Sequence, residues 1–312
     1  MLKTKLFFTL LNLVNTSYLS QKLDVNYDKR LSPYYLNRNA VNVSLSIPYL
    51  LLIDVVEDAQ LVSWLVTFTI TWRDDRLKYN PAQNGGETKM FVPNTEVWTP
   101  RFIVYNSIEH RKLIEDEKND VSISPVGQVK LQITQFINII CDIQVERMPF
   151  DTQFCSFRIV SPLQSQKYTF LQGHLEKQTA MFRGNSEFHL SNVSVSEYDY
   201  EMDEDEMHEI YFETELIRRP NYFIIVIVIP SFLISTMTIT GILLPVHQGV
   251  GGDAITVGLA SMLALSITLS IVAETLPRTS NIPLIGAYIL ACLIICSLAV
   301  IFGLLLTHFK VN

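Results

Sequence analysis

Residues 141–155 read CDIQVERMPFDTQFC, so two of the chain's four cysteines bracket a Met-Pro-Phe-Asp stretch. Cysteines can ligate a metal, run a thiol–disulfide cycle or form a structural bridge, and the compartment decides among these. The chain opens with a basic tip at Lys3 and Lys5, an apolar run from Leu6 to Val14, and small or polar residues through Ser20. That is the pattern of a secretory signal peptide over residues 1–20. Export leads to an oxidising space, where Cys141 and Cys155 are expected to pair; two separate buried thiols are the plainer alternative. Closing a loop of this length is worth about 3 kcal/mol in the chain-entropy account. Asn42-Val43-Ser44 and Asn192-Val193-Ser194 are sequons compatible with export, which makes Asn42 and Asn192 candidate glycosylation sites.

A second chemically capable group lies in the segment from Gly252 to Glu274. Steps of three and four from Asp253 pass through Thr256, Ala260, Leu263, Ile267, Ser270 and Glu274, which share one helical face. A carboxylate stands at each end, and the rise between them is ~32 Å, close to the thickness of a bilayer. Arranged around a symmetry axis, this face lines a pore. Asp253 and Glu274 then gather cations at the two mouths, and Leu263 with Ile267 forms a constriction that blocks ions by dewetting. The plainer reading is that the acids sit at the membrane interfaces and the Ser and Thr residues pack against neighbours. The scattered histidines match no metal spacing, and no nucleophile–base pair or phosphate-cradling glycine loop is recognisable. The expectation is therefore a chain that is not an enzyme, with no cofactor, no metal and no nucleic-acid partner.

These residues need elements to position them. Charged residues make up 18% of the 312, and three uncharged stretches stand out: Tyr222 to Leu244, Ala254 to Ala273 and Ile282 to Thr307. Each is long enough to cross ~30 Å of hydrocarbon, which predicts an α-helical transmembrane domain over 220–310 with helices at about 220–244, 254–274 and 282–308. An exported N-terminus makes the helices run inward, outward and inward. Cys292 and Cys296 fall on one face of the third and read as small packing residues. Residues 21–219 alternate with period two instead, as in Val41, Val43, Leu45, Ile47 and in Val62, Trp64, Val66, Phe68, Ile70, Trp72. Turn signals such as Asn84-Gly85-Gly86 and Ser124-Pro125 separate the runs. The expected fold is an all-β extracellular immunoglobulin-like sandwich followed by the helices, with the boundary at Arg218-Arg219-Pro220.

Several motifs occur in combination. Besides the cysteine loop there are Trp72-Arg73-Asp74 with Tyr79-Asn80-Pro81, Trp98-Thr99-Pro100 with Val104-Tyr105-Asn106, Arg218-Arg219-Pro220, and Glu274-Thr275-Leu276-Pro277 leading to Ile282-Pro283-Leu284-Ile285-Gly286. Together they make the chain resemble the pentameric Cys-loop ligand-gated ion channels over roughly residues 35 to 310, and most closely the nicotinic acetylcholine receptor branch. The resemblance implies that the bridged loop sits at the membrane end of the sandwich. There it presses Pro149 and Phe150 against the link between the second and third helices, where Pro277 lies. It also implies an ion pair between Glu57 and Arg218 that couples the two domains; two solvated charges of no consequence are the plainer alternative. Anion-passing relatives carry a proline-alanine insertion before a basic residue at the helix entrance, whereas this chain has Gly251-Gly252-Asp253-Ala254. Cation passage is the expectation, with Na+, K+ and Ca2+ as permeant ions.

The agonist pocket of the resembled family is an aromatic box between subunits. Tyr105 matches its first contributor, while Pro162 and Thr67 stand where tryptophans are expected. The hairpin that normally carries adjacent cysteines reads Glu197-Tyr198-Asp199-Tyr200-Glu201, leaving Tyr198 and Tyr200 as aromatic faces in an acidic stretch. That stretch is either a solvated loop or an electrostatic funnel for cations. Acetylcholine or another amine is the implied ligand, and other subunits of a homo- or hetero-pentamer and membrane lipid are the implied partners. The relatives continue with a cytoplasmic loop and a fourth membrane helix, whereas this sequence stops at Lys310-Val311-Asn312. The expected function is that of a subunit of a ligand-gated cation channel in the plasma membrane, multi-pass with an extracellular N-terminus and synaptic in setting. The alternative is a non-conducting accessory or dominant-negative subunit that modifies its partners.

Overall fold

The structure is a computed structural model that describes residues 27–35, 40–162, 169–175, 180–202, 205–243, 251–275 and 282–311. The expected signal peptide at 1–20 and Pro277 lie outside the described residues. The described residues between 41 and 218 build two sheets. The larger has eight strands, in the order β10 (Met181–Arg183), β1 (Val41–Val56), β2 (Leu61–Arg73), β7 (Gln128–Ile140), β6 (Asp120–Ile123), β3 (Met90–Pro93), with β5 (Ser107–Lys112) on β7 and β9 (Thr169–His174) on β1. The smaller runs β11 (Phe188–Met202), β12 (Asp205–Arg218), β8 (Thr152–Val160), β4 (Ile103–Val104).

Alternation accounts for the core. Inward residues of β1 and β2, including Val43, Leu45, Val62, Trp64, Val66 and Phe68, are fully buried. Opposite-sheet Phe157 meets Trp64 with ring centroids 5.7 Å apart and Phe68 edge-on at 6.5 Å. Such tilted contacts suit the ring quadrupoles and fix how the sheets interdigitate. Pro48 cannot donate to the ladder, and the β1–β2 register shifts between Ser46 and Tyr49, where it sits. Cys141, just beyond β7 of the larger sheet, is bonded to Cys155 in β8 of the smaller, with their Cα atoms 5.4 Å apart. The disulfide therefore ties one sheet to the other, and the fold class read from alternation is the one observed.

Among the described residues, three helices follow that are long and apolar enough to cross a membrane. The first, α1, runs through an α-turn at Asn221–Phe223, a π-helical stretch at Ile224–Val228 and an α-helix at Ile229–Leu243. The π stretch stands next to Pro230, which lacks an amide donor and so disturbs the carbonyls of the turn before it. Hydroxyls reach into that turn: Ser231 donates to the Ile227 carbonyl at 2.6 Å, and Tyr288 donates to the Val228 carbonyl at 3.1 Å. The second helix, α2, is Gly251–Thr275, and the third, α3, is Leu284–Val311. A Cβ on Gly258 of α2 would stand 2.5 Å from Val300 Cγ2 on α3, so the Val300 side chain packs directly against the α2 backbone where a larger residue would crowd it. Cys292 and Cys296 are buried against Leu265 where α2 and α3 meet.

Candidate functional site

The packing of α2 determines which of its faces is left over. Gly258, Ser261, Leu265 and Val272 are buried in the bundle. Thr256, Ala260, Leu263, Ile267, Ser270 and Glu274 are exposed on the opposite side, with Leu263 at 63% and Ile267 at 54%. The backbone places Asp253 in the first turn of the same helix. Leu259, Ser266 and Ile271 flank the stripe and are exposed as well, so the free surface is broader than the stripe itself.

A second constellation is centred on Arg218 at the end of β12, whose side chain is fully buried. Its Nε donates to Asp151 Oδ1 at 2.8 Å, its Nη1 donates to Glu187, and its Nη2 stands 3.0 Å from Glu57 Oε1 as an ion pair without hydrogen-bond alignment. The guanidinium also lies over the rings of Phe188, at 4.3 Å, and of Phe223, at 5.6 Å. Burial opposes the charge on Arg218, but Asp151, Glu187 and Glu57 outweigh it and hold its pKa above the ordinary value. Burial pushes the carboxyl of Glu187 up against the pull of Arg218, and the nearby Glu57 and Asp151 add to the rise. Glu57 comes from the turn after β1, Asp151 from the bridged loop, and Arg218 from the last strand residue before α1. With Glu187 from just before β11, one cation thus gathers three acidic segments onto the end of β12 at the junction with the helices.

Main-chain bonds complete that junction. Leu284 N donates to the Glu146 carbonyl at 2.9 Å, and Ile285 N to the Met148 carbonyl at 3.2 Å. The first amides of α3, which have no partner inside the helix, are thus satisfied by carbonyls of the bridged loop. Pro149 is buried and Phe150 is 60% exposed. Ile285, Ile289 and Val272 belong to the same buried cluster as Met148 and the sandwich interior, so apolar packing is continuous across the boundary.

The third constellation lies on the outer face of the smaller sheet. Tyr105 is 63% exposed, and its amide donates to the Arg158 carbonyl at 2.7 Å. The Arg158 guanidinium lies 4.8 Å from the centroid of the Tyr105 ring and 6.0 Å from that of Tyr211. It also binds buried Glu209 through two bonds, Nε to Oε2 at 2.6 Å and Nη2 to Oε1 at 2.7 Å, and Tyr211 Oη donates to Glu209 Oε2 at 2.8 Å. Tyr198, 53% exposed, meets Tyr211 edge-on at 5.1 Å. The backbone of Tyr200 pairs with Met207 nearer the hairpin tip. Thr67 is half-buried with its hydroxyl 3.0 Å from that of Thr134, and Pro162 is partly exposed just past β8. The sequence reading missed Arg158, Glu209 and Tyr211. The available signal was a cross-strand one, since Tyr211 stands opposite Arg158 and Glu209 opposite Val160 in the β12–β8 ladder. Beside this group, His208 Nδ1 is 2.5 Å from Asp199 Oδ1 and its Nε2 is 3.8 Å from Glu197 Oε2, with the ring against Phe170 at 4.8 Å. Among the described residues, no cluster of three or more His, Cys, Asp or Glu side chains is arranged to hold a metal ion. Both sequon asparagines, Asn42 on β1 and Asn192 on β11, are exposed.

Comparison with known proteins agrees with this layout. Residues 16–220 match the family model of the neurotransmitter-gated ion-channel ligand binding domain. The chain is 26% identical over 265 residues to the proton-gated ion channel subunit pbo-6 of Caenorhabditis elegans, covering 84% of this chain and 62% of that protein. It is 26% identical over 295 residues to the acetylcholine receptor subunit alpha-1-B of Xenopus laevis, covering 93% and 63%. It is likewise 26% identical over 326 residues to the neuronal acetylcholine receptor subunit eat-2 of C. elegans, covering 97% and 66%. The chain therefore spans just under two thirds of the length of these relatives. A two-sheet sandwich stapled by Cys141–Cys155, joined through Arg218 to apolar helices and matched over most of its sandwich by that model, belongs to the neurotransmitter-gated ion-channel family.

Proposed function

We propose that this chain is a subunit of a pentameric, ligand-gated, cation-conducting channel of the plasma membrane, with the sandwich outside. The observation that carries the reading is the exposed face of α2, where Leu263, Ile267 and Glu274 lie opposite the surface that packs on α1 and α3. In an assembly, that face surrounds the axis, with Asp253 and Glu274 at the mouths and Leu263 with Ile267 as the dewetting constriction. Movement of the hairpin β11–β12 reaches the pore through Arg218 and its partners Glu57, Asp151 and Glu187, and through the bridged loop at Pro149 and Phe150 and the link that carries Pro277. Na+, K+ and Ca2+ are the proposed permeant ions, and an amine such as acetylcholine the proposed ligand class, contacting Tyr105, Tyr198 and Tyr200. The test is two-electrode recording from cells expressing the chain, alone and with nicotinic-type partner subunits. Suppression of a partner's current, with no change in its selectivity or gating, would instead favour the accessory role.

Two observations favour a second reading, in which the ligand is the proton. One relative is named as a proton-gated channel subunit, and His208 sits between Asp199 and Glu197 on the hairpin, against Phe170 of β9. Histidine is the side chain that exchanges a proton at mild acidity. On this reading, acid steps without any amine should evoke current that His208→Gln removes.

A further inference from the structure

Phe154 of β8 is 71% exposed, the most of any large apolar side chain among the described residues. One exposed ring calls for no explanation by itself. Its place in the ladder supplies one. Phe154 pairs with Glu215 of β12, and Glu215 pairs with Asn192 of β11, so the three form one row across the smaller sheet. Directly paired residues point to the same face, and this row points outward, because the neighbours Gln153, Cys155, Thr214, Leu216 and Val193 are all buried. Asn192 opens the sequon Asn192-Val193-Ser194 and is exposed on β11, an edge strand of the sheet. Two strand spacings, ~10 Å, separate the asparagine from the ring. An asparagine side chain carrying a pyranose and lying flat on the sheet covers that span. The rows on either side favour this course. In one, Ser194 and Ser196 both donate to Glu213, at 3.2 and 2.9 Å, so its polar groups answer each other. In the other, Ile217, 39% exposed, stands diagonal to Phe154 and extends the apolar surface. The sequon at Asn42 has no such platform: it stands opposite Phe170 in the β1–β9 pairing, and that ring already lies 4.8 Å from His208.

We propose that Asn192 carries an N-linked glycan whose first N-acetylglucosamine lies across Glu215 and rests its apolar C–H face on the ring of Phe154. The inference rests on the reading that the sandwich is exported. The bond is made on the unfolded chain: Asn192 Nδ2 loses one proton and joins C1 of the sugar, while the C1–O bond to a polyprenyl-linked pyrophosphate donor breaks and the pyrophosphate leaves with the electron pair. Once the sheet has formed, the negative face of the aromatic quadrupole meets the polarised C–H groups of the sugar. Glu215 accepts from its hydroxyl or acetamide donors. So seated, the sugar ties the edge strand β11 to β8 across β12.

The test starts from the full chain made in cells that add mannose-rich glycans, purified in detergent and mapped by peptide mass. Asn192 should be occupied in most copies. A glycan on Asn42 with Asn192 bare overturns the inference and leaves export standing, whereas both bare counts against export as well. Melting temperature is then read in an Asn42→Gln background. Asn192→Gln should lower it by about 2 to 4 °C. Trimming with an endoglycosidase that leaves the first sugar should not lower it, and in Phe154→Ser the loss of the sugar should make no difference. Should Asn192→Gln fail to fold, the glycan is released enzymatically from the folded chain instead; the aspartate this leaves is common to the Phe154 and Phe154→Ser backgrounds and drops out of their comparison. An equal loss in both backgrounds overturns Phe154 as the platform, and a loss on trimming overturns the contact with the first sugar. Destabilisation by Phe154→Ser in a chain already lacking the sugar puts a neighbouring subunit or lipid on the ring and overturns the inference too.

Discussion

Leu263 is the side chain whose replacement speaks most directly to conduction, because it is apolar, mid-helix and 63% exposed on the free face of α2. If that face lines a pore as proposed, Leu263→Thr puts a hydroxyl into its apolar constriction, so a conducting assembly should leak or respond to less agonist. Unchanged leak and unchanged agonist sensitivity in an assembly that demonstrably conducts would remove that face from the pore. Charge at the mouths is a separate matter. Asp253→Lys should lower unitary cation conductance or move the reversal potential towards that of anions, and Glu274→Lys should do so more weakly; sodium permeability at the original value in both variants counts against them. Arg218 gives a stability prediction. Its side chain is fully buried beside Asp151, so Arg218→Gln strands a buried carboxylate at a cost of roughly 3 to 5 kcal/mol, measurable as a fall in thermal stability of the purified chain. Glu187 adds a pH dependence of definite sign. Its folded-state pKa is raised, chiefly by burial, so the charged form costs stability above that pKa, and the cost is relieved as the pH falls towards the unfolded value. Melting temperature against pH should therefore slope less steeply in Glu187→Gln through mild acidity, and an unaltered slope would show that Glu187 is not the group responsible.

Among the elements, the bridged loop has the clearest consequence for stability. Cys141→Ser with Cys155→Ser unties the two sheets and should cost about 3 kcal/mol, read from denaturant unfolding in which reductant shifts only the parent protein. That bridge was legible because a leader and two cysteines suffice to suggest it. The long strands were legible for a similar reason, since alternation in β1 and β2 is enforced by a core that admits every second side chain. Other elements left little trace. Strands β9 and β10 add in parallel to β1 over six and three residues, too short for a periodic signal. The π stretch of α1 leaves no mark on hydropathy, because it alters the ladder and not the residue types. Arg158 and Glu209 were invisible for a different reason. They lie on the polar side of strands where any charge reads as solvated, and only the β12–β8 register brings them together. Glu57 was paired with Arg218 by resemblance, whereas Asp151 and Glu187, which accept hydrogen bonds from Arg218 where Glu57 does not, were not assigned to that centre from the sequence.

For the whole molecule, the prediction concerns self-assembly. Two copies side by side would offer an amine Tyr105 and the hairpin tyrosines without the tryptophans that Pro162 and Thr67 replace. Losing two or three ring contacts at ~1 kcal/mol each weakens an amine roughly 30- to 150-fold relative to a complete box. Radioligand binding to membranes bearing only this chain should accordingly detect little acetylcholine affinity, and low-micromolar affinity would overturn that expectation. The join between sandwich and helices has a broader consequence. At Leu284–Glu146 and Ile285–Met148 the two halves are sewn together by peptide groups, which every residue but proline supplies in full. Such a seam is blind to side-chain identity. The outer and inner halves of the chain can therefore drift, or be exchanged with those of a distant relative, without losing these two bonds, as long as residues 284 and 285 are not proline and the bridged loop keeps its backbone course.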